Sequence, residues 1–211
     1  MKHSALIIIL LAIGLVFVSY KWVSVSTTSA TEVADASSGA TAIDVIMTRS
    51  SVRSYTDRDI SKECMDTLLR AAMAAPTAAN KQPWRFVVIR DRETLNSIGD
   101  KFEWMKMMKE APVAVVVCGD INSSLEGAGR EYWVQDASAA SENLLLAAHA
   151  IGLGAVWCGV YPIPERVMEF RELLALPDSI IPLNCIGIGY PAGDSSPKDK
   201  WKPEYIHFDK W

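Results

Sequence analysis

The chain has 211 residues, half of them hydrophobic and 22% charged, with a formal net charge of −4. This balance suits a folded chain with its own core and excludes an intrinsically disordered one. An acidic protein exerts no general attraction on nucleic acid, so any anion site must be a local cluster of bases.

Lys2 and His3 precede an unbroken apolar run from Ala5 to Val18. A basic start ahead of such a run reads as a secretory signal. The run is shorter than the roughly 20 residues of a spanning helix. Extending it through Val25 crosses Lys21, which leaves an uncleaved anchor open. Residues 1–22 are therefore expected to be a signal peptide or an N-terminal membrane anchor, and the protein to be exported (periplasmic) or membrane-anchored through that segment alone. Residues 23–41, rich in Ser, Thr and Ala, read as a flexible linker, and residues 42–211 as one folded domain.

Within that domain Ile43, Ile46 and Met47 share a helical face. Ser61 is placed to cap a second helix, with Glu63 in its first turn, apolar Met65, Leu68, Leu69 and Ala72, and Pro76 beyond its end. Trp84 to Ile89 reads as a strand, and Arg92 to Lys109 as a helix or broken helix. Val113 to Cys118 is apolar throughout and of strand length. Glu131 to Ala150 is the longest helix, with Gly152 where a left-handed cap is wanted. Ala155 to Val160 and Ile181 to Ile188 read as strands, with a helix from Pro164 to Leu174 between them. Tyr205 to Phe208 is expected as an edge strand. Interleaved helices and strands around one sheet place the chain in the α/β or α+β class.

Cys64, Cys118, Cys158 and Cys185 are widely spaced among apolar residues, with no metal-ligand spacing, so neither a disulfide framework nor a metal site is expected. Cys118 and Cys185 read as strand core.

Four polar clusters remain. Arg49-Ser50-Ser51-Val52-Arg53 follows a helix, and its two guanidiniums and two hydroxyls suit a phosphate. Pro76-Thr77-Ala78-Ala79-Asn80-Lys81-Gln82-Pro83 links a helix to a strand. Asn80 and Gln82 there offer donors and acceptors to a flat heterocycle. Gly159, after Cys158, lets a backbone approach a ligand closely. Lys198 and Lys200 follow the last strand. Taken alone, each is as well explained by an ordinary surface turn or connection.

Together, and in this order, the clusters resemble the FMN-dependent nitroreductase family. The resemblance runs from about Ile43 to the C-terminus. It includes the Asp136-anchored helix ending Asn143-Leu144-Leu145-Leu146-Ala147-Ala148, then Gly-Leu-Gly-Ala-Val-Trp from Gly152, and Gly189-Tyr190-Pro191. It implies an α+β fold with a mainly antiparallel central sheet flanked by helices, in a domain-swapped homodimer with FMN at the interface. Arg49, Ser50 and Ser51 would bind the phosphate and ribityl region with Lys198 and Lys200, and Arg53 would lie near the pyrimidine ring. Pro76, Thr77 and Ala78 would pack on the flavin from the partner subunit. Asn80 and Gln82 would offer it hydrogen bonds, and Cys158 and Gly159 would present a backbone amide to N5 and O4. Ser50 departs from the family, in which Arg or His is frequent there.

The implied activity is reduction of a small aromatic acceptor, such as a nitroaromatic or quinone, by NADH or NADPH in a ping-pong cycle. The flavin carries the chemistry, so no catalytic side chain is assigned. Phe102 to Met108 is the candidate lid, with core or dimer packing an equally good reading of the same run. The alternatives are a reductive dehalogenase of the iodotyrosine deiodinase type, a flavin-binding module without turnover, and flavin fragmentation.

Overall fold

A computed structural model describes residues 41–211. The expected signal or anchor segment and the linker up to residue 40 lie outside the described residues. Among the described residues no helix is long and apolar enough to cross a membrane.

Helix α1 spans Ala42–Thr48. The Thr41 hydroxyl accepts the Asp44 N–H while Asp44 accepts the Thr41 N–H, a reciprocal cap that satisfies two free donors of a short helix. Its apolar residues Ile43, Ile46 and Met47 stay exposed, at 66%, 53% and 71%. Helix α2, Lys62–Met73, starts as expected on Ser61, whose hydroxyl accepts the Cys64 N–H, and buries Met65, Leu68 and Ala72. Strand β1 is Trp84–Ile89 and helix α3 Arg92–Lys101, capped by Asp91. The expected break follows, with 3-10 turns over Glu103–Lys109. Strand β2 is Val113–Asp120, helix α4 Tyr132–Ala150, strand β3 Gly154–Gly159, helix α5 Pro164–Leu173 and strand β4 Ile180–Gly189. Gly152 takes the left-handed conformation expected after α4, with φ of 78°.

The sheet order is β1-β2-β4-β3, antiparallel throughout. Central β2 is covered on both faces, which is why its sequence is continuously apolar rather than alternating. On one face Val113, Val115 and Val117 pack with Leu68 of α2 and Ala137, Ala140 and Leu144 of α4. On the other Ala114, Val116 and Cys118 pack with Leu95 and Ile98 of α3 and Phe170 of α5. Each fully buried large side chain of these layers contributes about 1.5–3 kcal/mol.

One open choice narrows and one expectation fails. Phe102, Met105 and Met108 are buried at 3%, 0% and 0% in the second layer, which favours core packing over a lid for them, while Trp104 between them stays 43% exposed. Phe102 stacks on Phe170 there. Tyr205 to Phe208 forms no strand: Pro203–Tyr205 is a 3-10 turn, and the residues after it are irregular and exposed.

Candidate functional site

The basic cluster is built onto the free edge of β3. Ser51 pairs in parallel with Ala155, and the Val52 N–H donates to the Ala155 carbonyl at 3.1 Å. Gly154 permits this approach, since a Cβ there would lie 2.6 Å from the Val52 Cβ. The chain then turns along the residues after β4. Thr56 N–H donates to the Tyr190 carbonyl at 2.9 Å, and Ala192 N–H to the Ser54 carbonyl at 3.1 Å. Buried Tyr55 clamps the turn by reaching the Val52 carbonyl at 2.7 Å and that of Gly187 at 3.0 Å. The Ser50 and Ser195 hydroxyls meet at 2.7 Å. Arg49, Ser50, Ser51 and Arg53 thus share a corner with the exposed segment that carries Lys198 and Lys200.

Arg49 is held against α4, its Nε 3.3 Å from a Glu142 carboxylate oxygen. Thr48 Oγ1 lies 2.9 Å from His149 Nε2 on the same helix. Burial, and the neighbouring Arg49 charge, hold the His149 imidazole below its usual pKa of 6.5. Cys158 on β3 is within range of the Arg53 charge. Burial pushes that thiol up to about 11, with the Arg53 charge opposing the rise.

At the far end of β3, a Cβ on Gly159 would meet nothing within 4 Å, so space opens in front of it. The Ala155 carbonyl is given to Val52, away from β4, and the Val160 N–H to Leu183 on β4. In the antiparallel rhythm the alternate residues Trp157 and Gly159 therefore aim their N–H groups away from β4. The Gly159 carbonyl accepts from Arg166 Nη1 at 3.2 Å, and the Arg166 guanidinium stacks 3.9 Å from the Trp104 ring centre.

The loop before β1 is a separate construction. Ala79, Asn80 and Gln82 all have positive φ, at 48°, 54° and 50°. Non-glycine residues in such conformations cost about 1–3 kcal/mol each and persist where surrounding contacts impose them. Those contacts are visible. The Ala78 N–H donates to Asp136 Oδ1 at 2.8 Å, and Asp136 on α4 is only 5% exposed. The Thr77 hydroxyl accepts the Gln82 N–H at 3.1 Å, and Gln82 Nε2 donates to Asn80 Oδ1 at 2.9 Å. Pro76 leads into this loop after α2.

The structure brings Arg49, Ser50, Ser51 and Arg53 together with the β4 exit, and places Cys158 and Gly159 on the same strand edge. It does not bring Pro76, Thr77, Ala78, Asn80 or Gln82 there. That loop precedes β1, on the opposite edge and at the opposite end of the sheet from Ser51. Three strand spacings, about 14 Å, separate the two edges. The sequence reading missed Glu142, Ser195 and Tyr55, whose partners lie far along the chain and carry no local signal. Among the described residues no group of three or more His, Cys, Asp or Glu could hold a metal ion.

A model described as the Nitroreductase family matches residues 46–105 and 100–190. The chain is similar to proteins named NADH dehydrogenase/NAD(P)H nitroreductase from Methanothermobacter thermautotrophicus and Archaeoglobus fulgidus. It is 47% and 44% identical to them; each match covers 80% of this chain, and 87% and 98% of the respective relative. A crystal structure of a nitroreductase from Desulfovibrio desulfuricans in complex with FMN is 31% identical. It has a TM-score of 0.70, with 82% of this chain and 99% of that chain covered.

These findings correct the expected signal peptide, membrane attachment and exported or membrane-anchored location. The relatives from Methanothermobacter and Archaeoglobus, matched over 87% and 98% of their lengths, carry the names of nitroreductases. No described helix is long and apolar enough to cross a membrane. The apolar run that suggested export lies outside the described residues.

Proposed function

This chain belongs to the Nitroreductase family, and from that premise we propose that it is an FMN-dependent oxidoreductase. In this reading NADH or NADPH supplies the electrons, and a nitroaromatic, a quinone or a similar electron-poor ring takes them up. The observation that carries the reading is the corner beside β3. Arg49, Ser50, Ser51 and Arg53 line a strand edge whose far end, at Gly159, faces open space with an outward N–H.

That corner fits FMN chemically. The Arg49 guanidinium and the Ser50 and Ser51 hydroxyls suit a phosphate, and charge-assisted bonds of this kind are about twice as strong as neutral ones. Lys198 and Lys200 add positive charge from the segment that Ser195 ties to Ser50. Arg53 favours negative charge at the pyrimidine end of the ring, and the Gly159 N–H provides a fixed donor beside Cys158. Bound FMN would supply the two-electron chemistry, while the chain's residues hold and tune it. Nicotinamide and acceptor would use the same face in turn, in a ping-pong order.

Asn80, Gln82 and the Pro76-Thr77-Ala78 turn would complete the site from a second subunit, because their own subunit holds them on the far edge of the sheet. Homodimer formation also accounts for the exposed apolar residues. Ile43, Ile46 and Met47 of α1, and Trp201, Tyr205, Ile206 and Phe208 of the tail, find no cover among the described residues of one chain.

The test is oxidation of NADH or NADPH by the full-length protein with and without an added quinone or nitroaromatic. Acceptor-dependent turnover with parallel double-reciprocal lines is expected. FMN retained without turnover would instead identify a flavin-binding module, and failure to bind FMN would overturn the reading.

A further inference from the structure

Cys158 and Cys185 are 27 residues apart in the chain but stand directly opposite one another where β3 pairs with β4. Both lie in the buried layer beneath α3 and α5. The Ala155 carbonyl points away from β4, and the Val160 N–H reaches the Leu183 carbonyl at 3.0 Å. Counting alternate pairs between these two points makes Cys158–Cys185 a hydrogen-bonded pair. Such pairs hold their Cα atoms about 5.5 Å apart, inside the roughly 4.4–6.8 Å that a disulfide spans. Directly opposite Cβ atoms lie about 4.5–5.5 Å apart, against about 3.5–4.5 Å in a disulfide. The strands must therefore draw together slightly, and a bond under such strain is readily reduced.

The other cysteines are excluded by position. Cys118 faces Pro182 while Cys185 faces Val116, which leaves those two thiols diagonal across β2 and β4. Diagonal neighbours are about 7–8 Å apart, beyond disulfide reach. Cys64 lies on α2, against the opposite layer.

We propose that Cys158 and Cys185 form a redox-modification site, a thiol pair that a small hydroperoxide converts to a reversible cross-strand disulfide. Cys158 is the less buried, 5% exposed against 0% for Cys185, and reacts first. Its sulfur takes the terminal oxygen, the O–O bond breaks, and the thiol proton leaves with the displaced alcohol, or with water when the oxidant is hydrogen peroxide. The Cys185 sulfur then attacks the sulfenic sulfur. An S–S bond forms, the S–O bond breaks, and the released hydroxide takes the Cys185 proton as water. Overall the two thiols give two protons and two electrons to the O–O bond. Burial keeps both groups protonated at neutral pH, with Arg53 the charge that opposes it at Cys158, so the reaction is slower than at an exposed thiol.

The consequence for activity rests on the flavin reading above. Gly159 follows Cys158 directly, so contraction at this pair shifts the N–H assigned to the flavin ring.

The test uses the full chain carrying FMN. Its half-exposed Cys64 is alkylated first under native conditions, then hydrogen peroxide is added and the peptides are mapped by mass. The expected product is the Cys158 and Cys185 peptides joined, lighter by two hydrogens, and separated again by dithiothreitol. Cys185→Ser should leave a sulfenic acid at Cys158 that dimedone traps, and Cys158→Ser should leave Cys185 untouched. Sulfinic acid at Cys158 with Cys185 free, a bridge to Cys118, or two unchanged thiols would each overturn the proposal. Those outcomes in a sample that keeps its FMN and turns over sink this inference alone. Loss of FMN binding in untreated protein sinks the flavin reading and leaves the thiol map interpretable.

Discussion

Asp136 shows how a single residue holds a strained loop in place. Its carboxylate is 5% exposed and accepts the Ala78 N–H at 2.8 Å, next to three positive-φ residues. Asp136→Ala leaves that donor unmatched and should destabilise the protein by about 1–3 kcal/mol, as read from urea unfolding. At the basic corner, Arg53→Ala removes charge-assisted bonds of about 1.5–3 kcal/mol. A flavin fluorescence titration should show FMN affinity falling by roughly ten- to a hundredfold. Riboflavin, which lacks the phosphate, should be less sensitive than FMN to Arg49→Ala. His149 gives a pH signature. Burial and Arg49 lower its folded-state pKa below 6.5, so the unfolded chain binds the proton more tightly. Stability is complete above pH 6.5 and declines as the pH falls from there toward the folded pKa. His149→Gln should remove that part of the slope in unfolding measured across this range.

Among the elements, the strands and long helices were legible because each carries one strong period. Val113 to Gly119 is buried along its whole length, and Leu68 with Ala72 keeps helical spacing. Tyr205 to Phe208 misled because aromatic and β-branched residues report fit to a half-buried surface rather than a backbone preference. Among the described residues no strand pairs with them. The run from Phe102 to Met108 stayed open between core and lid, since nothing local tells a methionine of the core from one of a lid. Two glycines of β3 separate packing from function. Gly154→Ala sets a Cβ 2.6 Å from Val52, so it should push the Arg49–Arg53 segment off the strand, lowering both melting temperature and FMN affinity. Gly159→Ala meets nothing within 4 Å, so the melting temperature of the flavin-free protein should hold while FMN affinity falls. Equal losses in both variants would contradict the place given to Gly159.

For the whole molecule, the sequence motifs name the residues of the proposed site but not their separation. Pairing order alone puts Asn80 and Ser51 on opposite edges of the sheet, and no local pattern encodes pairing order. In the proposed dimer one flavin meets both across two chains. Mixing Arg53→Ala subunits with Asn80→Ala subunits should restore one intact site in each mixed dimer, measured as a partial recovery of bound FMN. Removing residues 201–211, with their exposed aromatic side chains, should shift the sedimenting species toward monomer and release flavin. The central claim is that this chain carries electrons on FMN taken from a nicotinamide. Its most direct test is the visible spectrum of the purified full-length protein without oxygen, before and after NADH or NADPH and then a quinone. The expected result is a yellow protein that bleaches with the nicotinamide and regains its colour with the quinone. A colourless protein that takes up no FMN, or a yellow one that neither nucleotide bleaches, would contradict it.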